Sequence, residues 1–327
     1  MPAEATDRAS ASATALGILA LVLWSTTFGV ARTIAEDVGV VAGPACIYLA
    51  AGVLSTAVML ARRGGFARVR SLPPRYLYGC GAIFLAYMVC IYLAVGLPPR
   101  RPQVLETGLI NYLWPGLTLV LSVPLLGMRA RPWLAPGMAA AFAGVVLAVS
   151  QGGGVSWGGF VGNLCESPAP YVAALGAAVT WALYSNLSRR WARDAQGSAV
   201  PLFLLATGVA FAALVPVFPF RPVWSTRVLV EIAYVAVFPA TLAYTFWDSA
   251  MRRGRMVLVA SLSYVTPLTA TIVSCLYLGV RPSWTLWLAC ALVIGGAVVC
   301  KLSVVEPSGP PAPPAPPEAL ARTEATG

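Results

Sequence analysis

The sequence of 327 residues contains no histidine. It therefore lacks the usual base of Ser-His-Asp and Cys-His sites and the commonest nitrogen ligand of zinc and iron. Residues 154–158 match the G-x-S-x-G pattern of hydrolase nucleophile elbows. They lie in a Gly-rich connection where no triad can form, so we interpret the match as accidental. With neither a Walker A loop nor a G-x-G-x-x-G motif, the chain is expected to have no enzymatic activity, cofactor or metal.

Charged residues are also scarce. They make up 10% of the chain, whereas 58% of the residues are apolar, and a soluble domain carries roughly 25% charged residues. Ten segments are apolar and long enough to cross a hydrocarbon core of roughly 30 Å. These observations predict an all-α integral membrane protein with ten transmembrane helices. The predicted spans are 14–34, 40–61, 76–97, 104–126, 132–151, 170–191, 200–219, 228–249, 256–279 and 283–302.

The net charge of +10 comes mainly from arginines in short blocks between the spans. Because they follow no amphipathic face, nucleic acid is not an expected partner. With the N-terminus in the cytoplasm, inner segments carry sixteen Lys and Arg residues and outer segments carry six. This bias predicts that both termini are cytoplasmic. Glu4 and Asp7 beside Arg8 are unlike the basic start of a signal peptide, so we expect the N-terminus to be retained.

A duplication organises the spans. Tyr112-Leu113-Trp114-Pro115 recurs as Tyr264-Val265-Thr266-Pro267, 152 residues later. At an offset of 157, Trp24 matches Trp181 and Tyr87 matches Tyr244. Because each copy has an odd number of spans, the second copy must be inserted in the opposite orientation, as in many secondary transporters. The sequence thus predicts two inverted five-helix repeats around a central cavity.

Neither disulfide bonds nor a partner chain are expected. Seven cysteines without paired spacing predict no disulfide framework. Small-residue pairs fit packing within one chain as well as between chains. A unit with its own internal pair of repeats needs no partner, so we expect a monomer.

The duplication also sets the predicted boundaries. The predicted segments are a cytoplasmic N-terminal tail at 1–13, a first repeat at 14–152, a periplasmic connecting loop at 153–169, a second repeat at 170–303 and a disordered cytoplasmic tail at 304–327.

Helical spacing places the candidate binding residues on a few faces. Tyr244, Trp247 and Asp248 share a face of span eight. Because polar groups are costly in lipid, the faces of spans four and nine that carry polar residues should turn inward. The predicted substrate-binding residues are Trp24, Tyr87, Asn111, Trp114, Trp181, Tyr184, Tyr244, Trp247, Ser263 and Thr266.

Pro115 and Pro267 occupy equivalent positions in spans four and nine. Each removes a backbone donor in mid-span and frees a carbonyl one turn earlier, which can bind an ammonium group. A packing kink satisfied by Ser, Thr or water is the alternative for either proline. Transporters often place helix interruptions at corresponding points of both halves, which favours functional breaks.

Trp24 and Trp181 lie near mid-span, whereas membrane tryptophans are usually found at the interfaces. An aromatic-lined cavity accounts for this depth, and plain helix packing is the alternative. Aromatic rings can cover an apolar side chain and attract an ammonium group. Such a lining suits a zwitterion with a bulky apolar group.

Asp248 is the one candidate for a coupling carboxylate, because Glu106 and Glu231 lie near the outer surface. Arg252 follows one helical turn later, so an ion pair or cap is the alternative. We expect facilitated transport if Asp248 carries no proton.

The segments 177–185 and 263–268, followed by Arg189-Arg190 and Leu278-Gly279, resemble the drug/metabolite transporter superfamily in its EamA-type ten-span form. The segment 109–115 is similar to the aromatic amino acid exporters of that group. This resemblance implies export of aromatic and other bulky neutral amino acids across a bacterial inner membrane. It also implies substrate contacts for Trp24, Tyr87, Asn111, Trp114, Trp181, Tyr244 and Thr266.

Two other interpretations remain open. One is a drug or metabolite exporter for another small neutral or cationic solute, with or without proton coupling, since a fold does not fix a substrate. A phosphorylated cargo is disfavoured because every basic residue lies at a loop or a span end. The other is a membrane enzyme or receptor, which would lack an evident catalytic or output element.

Overall fold

The computed structural model describes residues 2–62, 64–98, 101–150, 157–218, 220–266, 268 and 284–305. Most of these residues are helical, as the composition predicts. Within this part of the chain, six segments are long and apolar enough to cross a membrane: Arg8–Ser25, Ala42–Ala61, Arg75–Gly96, Glu106–Leu126, Val200–Val217 and Thr226–Arg253. The apolar stretches Leu134–Leu147 and Trp287–Ser303 are shorter.

The first half of the chain runs from α1 to α8. Its helices are α1 (Pro2–Ser25), α2 (Thr27–Val38), α3 (Ala42–Ala61), α4 (Gly65–Arg70), α5 (Gly81–Gly96), α6 (Arg101–Asn111), α7 (Trp114–Leu126) and α8 (Leu134–Ser150). A π-helical turn at Arg75–Cys80 leads directly into α5. The wider turn and the helix together make one of the six long segments.

The second half begins with a short helix between the two copies. Its helices are α9 (Trp157–Glu166), α10 (Ala169–Ala192), α11 (Val200–Leu214), α12 (Thr226–Val235), α13 (Tyr244–Arg253), α14 (Met256–Leu262) and α15 (Trp284–Ser303). A π-helical segment, Ala236–Ala243, joins α12 to α13. Strands β1 (Arg129–Ala130) and β2 (Val304–Val305) pair antiparallel after α7 and α15.

The N-terminal tail predicted at 1–13 is largely helical, because α1 begins at Pro2. Alanine recurs through this stretch, and alanine has the highest helix propensity of any residue. Helix α1 therefore includes most of the predicted tail as well as the first part of span one.

Two other predicted boundaries also change. The connecting loop predicted at 153–169 contains helix α9, whose Phe160 ring packs on Tyr171 with centroids 5.6 Å apart. Val304 and Val305, assigned to a disordered tail, instead form β2, where backbone pairing with β1 fixes them. The rest of that predicted tail, from residue 306 onward, lies outside the described residues.

The first span is interrupted between α1 and α2, a feature that the sequence analysis did not predict. The hydroxyl of Ser25 donates to the carbonyl of Val22, and the hydroxyls of Thr26 and Thr27 both donate to that of Leu23. Ser and Thr side chains that bond to nearby carbonyls compete with the backbone ladder. Three of them in succession account for a break beside Trp24.

Helices α8 and α15 pack closely through glycine, in a reciprocal and antiparallel pattern. A Cβ atom added to Gly144 would lie 2.8 Å from the backbone nitrogen of Val293, and one added to Gly296 would lie 2.4 Å from that of Ala141. The offset of 152 residues converts the first contact into the second. Close backbone approach thus depends on glycine at equivalent positions of the two copies.

Helices α3 and α11 repeat this arrangement. A Cβ atom on Gly52 would lie 2.4 Å from the backbone nitrogen of Leu205, and one on Gly208 would lie 2.4 Å from that of Leu49. These small residues are therefore used for packing within the chain.

Helix α10 occupies the centre, against α5, α6, α7 and α13, while α1 packs on α13. It is 24 residues long but includes buried Ser185, Asn186, Ser188 and Arg189. Because these polar groups face protein rather than lipid, the helix can be less apolar than the outer spans. Its central position brings residues from both copies together.

Candidate functional site

An aromatic cluster lies at the centre of the molecule, where α1, α5, α7, α10 and α13 meet. Each helix supplies one or two rings at helical spacing, so that the rings converge. The cluster comprises Trp24, Phe84, Tyr87, Trp114, Trp181, Tyr184, Tyr244 and Trp247. Seven of these residues are predicted site residues, and Phe84 is an addition.

Trp181 is the hub of the aromatic cluster. Its ring centroid lies 4.6 Å from that of Tyr87, 5.6 Å from that of Trp24 and 5.8 Å from that of Trp247. Trp24 and Trp181, the matched pair of the two copies, meet edge to face. Edge-to-face and offset contacts are the favoured arrangements of aromatic rings. The two copies therefore contribute to one site.

Two indole groups of the cluster are held by hydrogen bonds. The Nε1 of Trp24 donates to the carbonyl of Pro239 at 3.2 Å, within the π-helical segment. The Nε1 of Trp247 donates to the hydroxyl of Ser185 at 3.1 Å. These bonds fix the rings on α1 and α13 relative to their neighbours.

The rings fill the centre, and a small cavity lies beside them. Its lining includes Trp24, Tyr48, Tyr92 and Tyr244, and its volume is about 50 Å³. This volume exceeds the roughly 10–15 Å³ that a cavity needs to hold a water molecule. It is too small for an aromatic amino acid, so a substrate of that size would have to displace rings.

Helix interruptions lie next to the aromatic cluster in both copies. Helix α6 ends at Asn111, and α7 begins at Trp114 with Pro115 in its first turn. Helix α14 ends at Leu262, and a turn follows at residues 263–264. Pro267, the second predicted break residue, lies outside the described residues.

The two interruptions touch each other. A Cβ atom on Gly116 would lie 2.6 Å from the hydroxyl oxygen of Tyr264. Around them Leu109, Tyr264 and Leu268 pack in a cluster of their own. Movement of the backbone at one interruption would therefore displace residues at the other.

The predicted polar residues at these breaks differ in their use. The side-chain oxygen of Asn111 is buried with no hydrogen-bond partner among the described residues. The hydroxyl of Ser263 is already used, because it donates to the carbonyl of Val259 at 2.9 Å. The backbone N–H of Thr266 donates to the carbonyl of Ser263. Asn111 thus offers an acceptor that its own fold does not use.

A polar clasp, formed by Tyr76, Tyr184, Ser198, Asp248 and Arg252, closes one end of the aromatic cluster. Asp248 is fully buried and accepts four hydrogen bonds. The donors are Tyr76 at 2.9 Å, Tyr184 at 3.1 Å, Ser198 at 2.8 Å and Arg252 at 3.0 Å. The ion pair with Arg252, the alternative noted for Asp248, is present in the structure.

Arg252 extends the clasp to the connection between α10 and α11. Its guanidinium donates to the carbonyls of Ala192, Ala195 and Gly197 at 2.6–2.7 Å. Its Cζ lies 5.0 Å from the ring centroid of Tyr76, a cation–π contact. The buried charges of the clasp are thus paired and hydrogen-bonded, as buried charges must be.

Glu106 lies toward the opposite end of the spans and is also buried. It accepts hydrogen bonds from the Tyr171 hydroxyl and from the amide of Asn163, at 3.2 and 3.3 Å. None of the basic side chains described by the structure contacts it. Glu231 differs, because Arg227 donates to it at 2.8 Å and Thr33 at 2.7 Å.

Sequence reasoning did not identify Phe84, Tyr76, Tyr48 or Tyr92. Phe84 lies one helical turn before Tyr87, so the spacing rule that selected Tyr87 would have found it. Tyr76 was hidden in the π-helical turn, whose wider pitch breaks the 3.6-residue pattern. Tyr48 and Tyr92 have no aromatic counterpart in the other copy, because the offset of 157 residues places Leu205 and Ser249 at the matching positions.

Comparison with known proteins places these features in context. Residues 169–301 match the sequence profile of the EamA-like transporter family. Proteins named aromatic amino acid exporter YddG are similar over most of their length. The one from Escherichia coli is 30% identical, covering 89% of this chain and 97% of the relative. The one from Ancylobacter novellus is 34% identical, covering 89% and 97%.

The fold also has a counterpart among solved structures. A crystal structure with 31% sequence identity superposes with a TM-score of 0.73. The match covers 89% of this chain and 98% of the other. The similarity therefore extends through both copies of the duplication.

Proposed function

The chain belongs to the EamA-like transporter family, and from that premise we propose that it exports aromatic and other bulky neutral amino acids across a bacterial inner membrane. The observation that carries the proposal is the aromatic cluster, to which both copies contribute rings around Trp181. The names of the similar exporters support the substrate class. A transporter that binds its cargo between two halves needs such a shared site near mid-depth.

We propose that the spans form ten transmembrane helices in two inverted five-helix repeats, with both termini in the cytoplasm. The reciprocal contacts of Gly144 and Gly296 support this arrangement, because antiparallel equivalent helices are what an inverted pair produces. The arginine bias supports the orientation. With its repeats packed on each other in this way, the proposed unit is a monomer.

The neutral lining supports a substrate without net charge. Asp248 and Arg252, the charged groups nearest the rings, are paired within the polar clasp. Rings can cover an apolar side chain, and the unused oxygen of Asn111 is a suitable acceptor for an ammonium group. Asn111 and the rings of Tyr87, Trp114, Tyr244 and Trp247 form the proposed binding site.

The proposed mechanism is alternating access through rocking of the repeats. Because the rings contact one another at the centre, a bulky substrate must separate them in order to bind between the repeats. The interruptions at Thr26, at residues 112–113 and at residues 263–264 are suitable hinges, because hinge residues lie at element ends. Pro115 and Pro267 would keep two of these hinges from closing into continuous helix.

The polar clasp supports facilitated diffusion rather than proton coupling through Asp248. The Asp248 carboxylate accepts four hydrogen bonds, one of them from the buried guanidinium of Arg252, and is thereby held in a structural ion pair. One observation favours the alternative, a proton-coupled exporter of another small neutral or cationic solute. Glu106 is a buried carboxylate held only by neutral donors within the described part, and such groups often serve as proton relays.

The test is exchange of labelled phenylalanine in proteoliposomes loaded with unlabelled phenylalanine, with no ion gradient. We expect the wild type to exchange and Trp181→Ala to lose most of the exchange. Trp133→Ala is the matched control, because Trp133 is 68% exposed and lies outside the aromatic cluster.

Absence of exchange by folded wild-type protein would contradict facilitated amino-acid transport. Exchange that appears only under an imposed pH gradient would favour the proton-coupled alternative, and Glu106→Gln should then abolish it. Equal loss in Trp181→Ala and Trp133→Ala would remove the aromatic cluster from the proposed site.

A further inference from the structure

The small cavity beside the aromatic cluster has a lining that differs from the rest of the site. It is bounded by Trp24, Thr27, Tyr48, Tyr92 and Tyr244, together with the apolar side chains of Ile47, Val235, Pro239 and Ala240. Two of these residues, Trp24 and Tyr244, also belong to the aromatic cluster. A group in the cavity would therefore be adjacent to a side chain held among the rings.

Tyrosine hydroxyls supply the polar character of this cavity. The hydroxyl of Tyr92 donates to that of Tyr48 at 3.5 Å, the limit of a hydrogen bond. Tyr48 is 6% exposed, and its own hydroxyl is hydrogen-bonded to that of Tyr244, which is also paired with that of Tyr87. The hydroxyl of Tyr244 lies 3.9 Å from the sulfur of Met88, a weak acceptor. The hydroxyls of Tyr92, Tyr48 and Tyr244 thus form a chain of donors beside the cavity.

The rings that carry two of these hydroxyls are held in place. Tyr48 and Tyr92 meet edge to face with centroids 6.1 Å apart, and Phe211 packs on Tyr92 at 4.9 Å. The indole of Trp24 already donates to the carbonyl of Pro239, and the hydroxyl of Thr27 donates to the carbonyl of Leu23 in α1. The two tyrosine donors are therefore preorganised, and nearby acceptors are in use.

An amino acid carries a carboxylate that must find donors when it leaves water. Arginine would be the usual partner, but the guanidinium groups of Arg252 and Arg189 already donate to backbone carbonyls. Hydroxyl donors form short, charge-assisted hydrogen bonds to carboxylates. A volume of about 50 Å³ accommodates such a group but not an aromatic ring.

We propose that this cavity is the subsite for the substrate's α-carboxylate, with Tyr48 and Tyr92 as its donors and the side chain of the substrate held against Trp24 and Trp181. This subsite rests on the proposed function, because it assumes an amino-acid cargo. It makes Tyr48 and Tyr92 the residues that distinguish an amino acid from an amine lacking the carboxylate.

The test compares two competitors of labelled-phenylalanine exchange. Unlabelled L-phenylalanine carries the carboxylate, and L-phenylalaninamide does not. The wild type should require far more of the amide for half-inhibition. In Tyr48→Phe and in Tyr92→Phe, half-inhibition by phenylalanine should need roughly 10- to 100-fold more, the range expected for losing a hydrogen bond to a charged group. Half-inhibition by the amide should stay unchanged.

Tyr78→Phe is the matched control, because it removes the same hydroxyl from a side chain that is 74% exposed and does not line the cavity. It should behave as the wild type. Each substitution removes a single oxygen and keeps the ring, and the two variants test the subsite independently, so a folding defect in one leaves the other informative.

The outcomes separate the two proposals. A wild type that exchanges no phenylalanine would overturn the proposed function itself. A wild type that exchanges phenylalanine, with both variants keeping the wild-type preference over the amide, would overturn the carboxylate subsite alone.

Discussion

Asp248 and Arg252 illustrate how a buried charge is tolerated within a membrane-spanning helix. The two side chains lie one helical turn apart on α13, and both are almost fully buried. Tyrosine and serine hydroxyls satisfy the remaining oxygen positions of Asp248, and backbone carbonyls satisfy the guanidinium. Removing one partner would leave the other buried without a counter-charge, which is more costly than replacing both.

We therefore predict that Asp248→Asn lowers the free energy of unfolding by about 3–5 kcal/mol, the range for breaking a buried ion pair. The double variant Asp248→Asn/Arg252→Met should recover part of that loss. Thermal unfolding in detergent measures both. An Asp248→Asn protein of wild-type stability, with altered pH dependence of transport, would instead indicate a proton carrier.

Asn111 presents the opposite case, a polar atom with no partner in the part of the chain that the structure describes. A buried acceptor left unpaired costs about 1–3 kcal/mol, so its retention calls for a ligand. We predict that Asn111→Leu keeps or raises the melting temperature while raising the KM for phenylalanine about tenfold.

Asn186→Leu is the contrasting variant. The side-chain oxygen of Asn186 is likewise buried without a partner among the described residues, but its amide nitrogen donates to the carbonyls of Thr118 and Ala182 at 3.0 and 2.9 Å. Its replacement should lower the melting temperature, since those bonds are lost. If both variants lose stability equally, Asn111 has a structural role and not a ligand-binding one.

The helices themselves show how far the sequence can be interpreted. Hydropathy placed most spans, because apolar length is set by bilayer thickness. The duplication brought out Trp24, Tyr87, Trp181 and Tyr244, since the matched positions lie on helices that converge. The resemblance to the EamA-type group is confirmed by the profile match and the similar exporters.

Other features depended on tertiary context. The break at Thr26 arises from side chains that bond to their own helix, a choice that local sequence leaves open. The π-helical turns displaced Tyr76 from any regular periodicity. The ring cluster fills space that the sequence analysis assigned to a cavity, because hydropathy and spacing give no information about packed volume.

The glycine contacts between α8 and α15 give a prediction with a neighbouring control. A Cβ atom on Gly296 would lie 2.4 Å from the backbone of α8, whereas one on Gly295 meets nothing within 4 Å. Gly296→Ala should therefore cost about 1–3 kcal/mol, as overpacking does. Gly295→Ala should be neutral or stabilising, since alanine favours helix. Thermal unfolding of the two variants in parallel checks the packing.

The orientation of the whole chain can be tested through a natural cysteine. Cys165 on α9 is exposed, whereas the other cysteines in the described ranges are buried or half-buried. With both termini in the cytoplasm, α9 faces the periplasm. A membrane-impermeant maleimide should label right-side-out vesicles, and Cys165→Ser should remove that labelling. Labelling confined to inside-out vesicles would reverse the orientation.

The polar clasp has no equivalent in the first copy. The offset of 157 residues places Ile91 and Val95 of α5 where the second copy has Asp248 and Arg252. If the repeats rock as proposed, one side would close on an ion pair and the other on apolar side chains, so the two closed forms would differ in energy. For a passive carrier, a rarely populated inward-open form weakens the apparent affinity on that side by its fractional population. Such a protein would act as an overflow valve, idle while the cytoplasmic pool is low and active once amino acid accumulates.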